Sequence, residues 1–114
     1  MLVRILFDEC VPRQLRKELI GFEVRTAPEL GWSGVKNGAL IALAAERGFD
    51  AIFTVDRGFA GSPPLLFPIA ILILETGTTD PTLLVPWMAA VSVALAEMRP
   101  GEIRRMGGSG EAAP

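Results

Sequence analysis

The chain contains no histidine and only one cysteine, Cys10, in its 114 residues. Because histidine is absent, the usual histidine-dependent chemistry of serine and cysteine hydrolases is excluded. A single cysteine also excludes an internal disulfide and a cysteine zinc cluster. We therefore interpret Cys10 as a small buried side chain rather than a nucleophile.

The chain also has no excess of basic over acidic residues, with 11 lysines and arginines against 13 aspartates and glutamates. The formal net charge is −2 and the sequence pI is about 5.1, so any contact with nucleic acid must be local. The uncharged stretch at 81–96 is interrupted by Pro86 and is too short for a membrane span. The first residues, MLVRILF, predict a strand and lack the features of a signal peptide, so we expect a cytoplasmic protein without a membrane segment.

Half of the residues are hydrophobic and 21% are charged, which is typical of a folded chain with a sheet buried on both faces. The length predicts one domain around one core. Strands are predicted at 2–7, 22–26 (an edge or a half-covered strand), 51–56 and 68–74, with a short final strand at 102–106. The strand at 68–74 is the most hydrophobic, so we expect it to be central. Loops rich in glycine and proline are predicted at 27–38 and 57–67.

Three helices are predicted between these strands. The first begins at Pro12, buries Leu15 and Leu19, and ends before Gly21. The second is capped by Asn37 and ends at Gly48, and the third is capped by Thr79 or Asp80 before Pro81. The third is apolar on nearly all sides, which predicts either complete burial or a homodimer interface through this C-terminal helix.

The order of elements predicts a single-domain, three-layer α/β fold over residues 1–106. Right-handed crossovers would place the helices on both faces of a mostly parallel sheet. The remaining residues, 107–114, have the composition of a flexible tail.

Acidic residues follow two of the predicted strands. Asp8 and Glu9 follow the first strand, and Asp56 ends the third. If those strands are neighbours, the carboxylates converge at the carboxyl edge of the sheet, where open parallel sheets bind ligands. Two carboxylates about 5 Å apart repel by roughly 3 kcal/mol at an effective dielectric of about 20, and a shared cation would relieve this. Oxygen ligands without histidine favour Mg²⁺ or Mn²⁺, which commonly serve phosphodiester hydrolysis.

Each acid also has a structural interpretation. Asp8 fits a helix cap, Glu9 a solvated surface acid, and Asp56 a cap of the turn that follows it.

The flanking residues have two interpretations as well. Asn37 fits a helix cap that also faces a ligand, and Lys36 fits either a phosphate ligand or a surface lysine. Arg13 and Arg57 flank the same edge and are candidate phosphate contacts. Trp32 fits the edge of the core better than a base-stacking platform.

Three segments carry a resemblance to a known family. ILFDECVPRQL (5–15), GWSGVKNGALIALAAE (31–46) and AIFTVDRGF (51–59), in this order and spacing, resemble the uncharacterised bacterial PIN-like family. Its relatives are the PIN ribonucleases that act as toxins in type II toxin–antitoxin pairs. The resemblance implies a Rossmann-like PIN fold, Mg²⁺- or Mn²⁺-dependent cleavage of RNA and an antitoxin partner.

The resemblance also assigns roles to residues. Asp8 and Asp56 resemble the metal-binding carboxylates, Glu9 the adjacent acid, and Thr54 the hydroxyl that often precedes the last aspartate. Asn37 stands where many relatives have an aspartate, and only Glu75 and Asp80 are candidates for a fourth acid.

Three functions remain open on the sequence. The leading hypothesis is a ribonuclease that uses Asp8, Glu9 and Asp56 as catalytic and metal-binding residues, with Arg13, Lys36, Asn37, Thr54 and Arg57 around the substrate. The second is a binding module of the same fold with a degenerate site. The third is a receiver-like phosphoacceptor domain, ranked last because both lysines, Lys17 and Lys36, lie in the first half of the chain.

Overall fold

The computed structural model describes residues 3–61 and 69–108. Five strands form one parallel sheet in the order β2-β1-β3-β4-β5. The strands are β1 (Val3–Phe7), β2 (Phe22–Thr26), β3 (Ala51–Thr54), β4 (Ala70–Leu74) and β5 (Ile103–Met106). The α-helices are α1 (Asn37–Glu46), α2 (Pro81–Leu84) and α3 (Met88–Glu97), and 3₁₀ turns span Arg13–Glu18, Pro28–Leu30, Arg57–Gly61 and Val85–Trp87.

Two hydrophobic clusters cover the two faces of the sheet. Alternate strand residues such as Phe7 and Phe53 face the first cluster, which contains residues of the 13–18 turn, α2 and α3. Their neighbours Leu6 and Ile52 face the second cluster, which contains residues of α1. All of β3 and β4 is buried, because both faces of these inner strands are covered. The predicted single-domain, layered α/β fold with a parallel sheet is confirmed.

The connections between strands do not all have the same hand. The chain moves across the sheet in one direction from β1 to β2, and in the opposite direction from β2 to β3 and from β4 to β5. The β1–β2 connection packs on the first cluster and α1 on the second, so these two connections share a hand. The β4–β5 connection, through α2 and α3, packs on the first cluster again and therefore has the opposite hand. The expectation that every crossover is right-handed is wrong for this sheet.

The first two predicted helices differ in detail from the observed ones. Residues 13–18 form a 3₁₀ turn after Pro12, without a side-chain cap, although Leu15 and Leu19 are buried as predicted. Short connections often adopt this tighter geometry. The predicted cap at Asn37 is wrong: Asn37 is the first helical residue, and the N-cap position is held by Lys36 without a side-chain hydrogen bond.

The last predicted helix is interrupted near its start. Asp80 caps α2 by accepting a hydrogen bond from Thr82 N–H (2.9 Å), as predicted. Pro86 then lies in a 3₁₀ turn that separates α2 from α3, because proline has no N–H to continue the helical ladder. The helix is not buried all round, since the side chains of Leu83 and Val93 are each 58% exposed.

The described residues cover the predicted final strand, but only part of the predicted tail and of the second predicted loop. The final strand is confirmed as β5, which pairs in parallel with β4. Gly107, the first residue of the predicted tail, is buried, whereas 109–114 and most of the second predicted loop, 62–67, lie outside the described residues, as does 68. Within the described part of the chain, no helix combines the length and apolar character needed to cross a membrane.

Candidate active site

The acidic residues lie where the direction of strand order reverses. From β1 the chain passes to β2 on one side, whereas β3 lies on the other side of β1. The carboxyl ends of β1 and β3 therefore flank the switch point at which open parallel sheets bind ligands. Asp8 directly follows β1, and Asp56 is two residues beyond β3. The premise that these two strands are neighbours is confirmed.

The Thr54 hydroxyl joins the two acidic segments. Thr54 is fully buried at the end of β3, and its hydroxyl donates to Asp8 Oδ2 at 2.9 Å. Thr54 Oγ1 in turn accepts a hydrogen bond from the backbone N–H of Asp56 at 3.0 Å. Asp8 N–H also donates to Phe53 O at 3.0 Å, which continues the β1–β3 pairing by one residue. The turn after each strand is thus fixed relative to the other by one hydroxyl.

The Asp8 side chain is only 7% exposed and is held by three donors. Its Oδ1 accepts from Glu9 N–H at 2.8 Å, and its Oδ2 accepts from Thr54 and from the Cys10 thiol at 3.6 Å. A buried carboxylate needs such partners, because desolvation is costly without them. Asp8 does not cap the 13–18 turn, which has no side-chain cap, so that structural interpretation is wrong.

Asp56 is exposed at the mouth of the site. Its Oδ1 accepts from Gly58 N–H at 2.8 Å, which confirms the turn-capping interpretation. A Cβ atom on Gly58 would lie 3.0 Å from this oxygen, so a side chain at this position would crowd the Asp56 carboxylate. Within the described residues no hydrogen bond occupies Oδ2 of Asp56, which leaves that oxygen for a ligand.

Cys10 belongs to the site, which the sequence did not indicate. Its sulfur lies 3.5 Å from Thr54 Oγ1 and 3.6 Å from Asp8 Oδ2, and it lines the pocket beside Asp56. Burial raises the pKa of the thiol above its ordinary value, and this outweighs the hydrogen bond to Thr54, which acts in the opposite direction. The thiol is therefore a neutral donor to Asp8. Its position two residues from Asp8 was the one available signal.

A pocket of about 480 Å³ opens beside Asp56, between the loops that follow β1, β3 and β4. Arg57 reaches across it from the β3 loop and donates through Nη2 to the backbone oxygen of Glu75 at 3.4 Å. The pocket is lined by Cys10, Val55, Asp56, Arg57, Gly77, Thr78 and Thr79. Of the predicted substrate-binding residues, the structure brings Thr54 and Arg57 next to the acids.

The other predicted site residues lie apart from this pocket. Glu9 is exposed and accepts from Gly34 N–H at 3.1 Å, so it fastens the loop before α1. Arg13 lines a different pocket, of about 340 Å³, on the far side of the β1 loop. Lys36 and Asn37 make no side-chain hydrogen bond to the acids within the described residues.

The two candidates for a fourth acid are engaged elsewhere. Glu75 pairs with Arg105 at 3.7 Å, and Asp80 caps α2. Across residues 3–61 and 69–108, no cluster of three or more metal-ligating acid, cysteine or histidine side chains is present. The donor set still fits Mg²⁺ or Mn²⁺, which commonly use one or two carboxylates and take their other ligands from water and substrate phosphates. Asp8 and Asp56 would hold such an ion.

No protein-family model, curated protein or solved structure matches this chain. The resemblance to the PIN-like family therefore stays a prediction.

Proposed function

We propose that the protein is a Mg²⁺- or Mn²⁺-dependent ribonuclease of the PIN-like type. The observation that supports this most strongly is the buried Thr54 hydroxyl, which contacts both the Asp8 carboxylate and the Asp56 backbone at the switch point of the sheet. A buried carboxylate fixed by three donors lies next to an exposed one in the turn after the neighbouring strand. Two such carboxylates supply the oxygen ligands that Mg²⁺ and Mn²⁺ prefer.

The chain's own residues divide the work of the proposed reaction. Thr54 and Cys10 orient the Asp8 carboxylate, the Asp56 turn presents its free oxygen, and Arg57 offers its guanidinium to a phosphate. When bound, a divalent ion polarises the phosphoryl oxygen and lowers the pKa of an attacking water. A chain without histidine then needs no side-chain general base.

Cleavage of RNA by purified protein tests this proposal. We expect cleavage of single-stranded RNA with Mg²⁺ or Mn²⁺, none in EDTA, and none with Asp8→Asn in either metal. The matched control is Asp50→Asn, which removes one aspartate at the amino end of the sheet, where Asp50 accepts from Arg4 N–H. Cleavage that continues unchanged in EDTA and in Asp8→Asn would rule out the proposal.

The second candidate is a binding module of the same fold without turnover. The observations that favour it are Asn37 in place of an acid and the lack of a three-acid cluster in the described residues. It predicts folding, and metal or RNA binding, without product formation. Metal-dependent cleavage that disappears in Asp8→Asn would eliminate it.

The third candidate, a phosphoacceptor domain, gains support from the strand order, which is that of flavodoxin-like sheets. The β4–β5 connection counts against this candidate. In a sheet with only right-handed crossovers this connection would pack on the second cluster, but it packs on the first. The late part of the chain also has no lysine. Transfer of phosphate to Asp56 from a small phosphodonor would revive it.

Two partners are part of the proposal. By its resemblance to toxin ribonucleases, the protein would be inhibited by an antitoxin protein. The exposed apolar residues of α2 and α3, among them Leu83 and Val93, would form a homodimer contact. Sedimentation analysis of the purified protein tests the dimer directly.

A further inference from the structure

Arg57 is a cation without a carboxylate partner in the described part of the chain. The other arginines near acids form ion pairs there: Arg4 with Glu23, Arg16 with Glu29, and Arg104 and Arg105 with acids near β5. The Arg57 side chain instead crosses from the β3 loop to the β4 loop, where a single N–H meets the Glu75 carbonyl. Within residues 3–61 and 69–108 no other group takes the remaining guanidinium donors, which leaves them for a ligand.

The β4 loop lies directly beside this side chain. Gly77 has a left-handed backbone (φ +74°), which favours glycine, and a Cβ atom there would lie 3.4 Å from Arg57 Nη2. The guanidinium is therefore within contact distance of the loop at Gly77. The next residues, Thr78 and Thr79, line the same pocket and bring two hydroxyl-bearing side chains to it.

Guanidinium and hydroxyl donors around one open pocket fit a phosphate group, which arginine recognises through paired N–H donors. Asp56 lines the same pocket as Arg57 and the two threonines. A phosphate bound at Arg57 would therefore be adjacent to one bound through a divalent ion at Asp8 and Asp56, as successive phosphates of a nucleic-acid strand are.

We infer that the Arg57 pocket binds a second phosphate of the RNA substrate, so that the strand runs from the acids toward the β4 loop rather than toward Arg13 and the α1 start. This inference rests on the proposed function, because it takes the ligand to be RNA. Arg57 and Thr79 act in binding, and neither contributes a proton to the reaction.

The test is equilibrium binding of a fluorescein-labelled single-stranded RNA oligonucleotide in EDTA, where metal-dependent cleavage does not occur. Arg57→Ala should weaken binding about tenfold, as expected for the loss of a hydrogen bond to a charged group. It should also lower the slope of log affinity against log salt by about 0.7, the value for one phosphate contact on a single strand. Thr79→Val should weaken binding less and leave the salt slope unchanged.

Arg99→Ala is the matched control, because it removes the same charge from an exposed residue at the amino end of the sheet. Equal affinity and equal salt slope for Arg57→Ala and Arg99→Ala would overturn the inference. A second arm uses inorganic pyrophosphate in a thermal-shift titration. Stabilisation by pyrophosphate that depends on Arg57, without binding of RNA, would overturn RNA as the source of the phosphate.

Failure of the proposed function has a different signature. If RNA binding depends on Arg57 as described but no metal supports cleavage, the inference stands and the ribonuclease proposal falls. If cleavage depends on Asp8 and metal but Arg57→Ala does not change RNA binding, the ribonuclease proposal stands and the inference falls.

Discussion

Thr54→Val tests whether one hydroxyl organises the candidate site. Valine has nearly the shape of threonine, so the substitution keeps the packing of a fully buried side chain and removes its hydrogen bonds. Asp8 Oδ2 loses its 2.9 Å donor and the Asp56 N–H loses its 3.0 Å acceptor. A hydrogen bond to a charged group contributes about 1.5–3 kcal/mol, and a buried group left without a partner costs about 1–3 kcal/mol.

We therefore expect Thr54→Val to lower the free energy of unfolding by about 3 kcal/mol. For a chain of this length that corresponds to a fall in Tm of about 10 °C, measurable by circular dichroism or calorimetry. Thr54→Ser is the matched variant: it keeps the hydroxyl, loses one methyl group and should cost about 1 kcal/mol. Thr79→Val, at an exposed threonine, controls for the chemical change itself.

The comparison between the two Thr54 variants decides the outcome. If Thr54→Val proved as stable as Thr54→Ser, the hydroxyl would not be the element that joins the two turns. The proposed positioning of Asp8 would then lose its physical basis.

Other residues give separate predictions. Burial raises the pKa of the Cys10 thiol, so only the unfolded state loses this proton as pH rises past the ordinary value of 9.0. Between pH 8 and 10, the free energy of unfolding should therefore fall more steeply with pH in the wild type than in Cys10→Ser. Urea unfolding measures this, and the same pH dependence in both proteins would contradict the prediction. The pKa of Glu102 is lowered, mainly because its carboxylate accepts a hydrogen bond from the Arg99 backbone N–H. The ionised carboxylate therefore stabilises the fold at pH values above its ordinary pKa. This stabilisation is lost as the pH falls through the lowered pKa. Glu102→Gln should reduce Tm at pH 7, and this reduction should become smaller as the pH is lowered below 4.5. An equal loss of Tm at every pH would count against the carboxylate's role. Gly107→Ala would force φ +71° on alanine and bring its Cβ 3.3 Å from Trp87, so we expect about 1–3 kcal/mol of destabilisation by urea unfolding, and a neutral effect would refute this packing.

The strands were predictable because their apolar runs are short, rich in β-branched residues and bounded by glycine, proline or acids. The apolar run at 68–74 indicated a buried strand, which the structure has at Ala70–Leu74. The alternation at 22–26 indicated an edge or a half-covered strand, and β2 is an edge strand. The order of strands in the sheet was not predictable, because neighbours are chosen by tertiary packing rather than by local pattern. For the same reason the unusual hand of the β4–β5 connection left no trace in the sequence.

The candidate site was predictable in part. The positions of Asp8 and Asp56 followed from the carboxyl ends of strands, a rule that needs only the fold class. The roles of Glu9 and Arg13 did not, because the direction of a surface side chain depends on loop geometry, and Gly34 N–H captures Glu9. The resemblance drew attention to Thr54, but only the structure reveals its two hydrogen bonds.

The central claim is that Asp8 and Asp56 together hold one divalent ion, and isothermal titration of the protein with Mn²⁺ tests it most directly. The wild type and Asp50→Asn should bind one ion with equal affinity. Asp8→Asn and Asp56→Asn should each bind at least about tenfold more weakly, since even the outer partners of metal ligands are worth about 10- to 100-fold in affinity. Equal Mn²⁺ affinity in all four proteins, or no binding by the wild type, would contradict the claim.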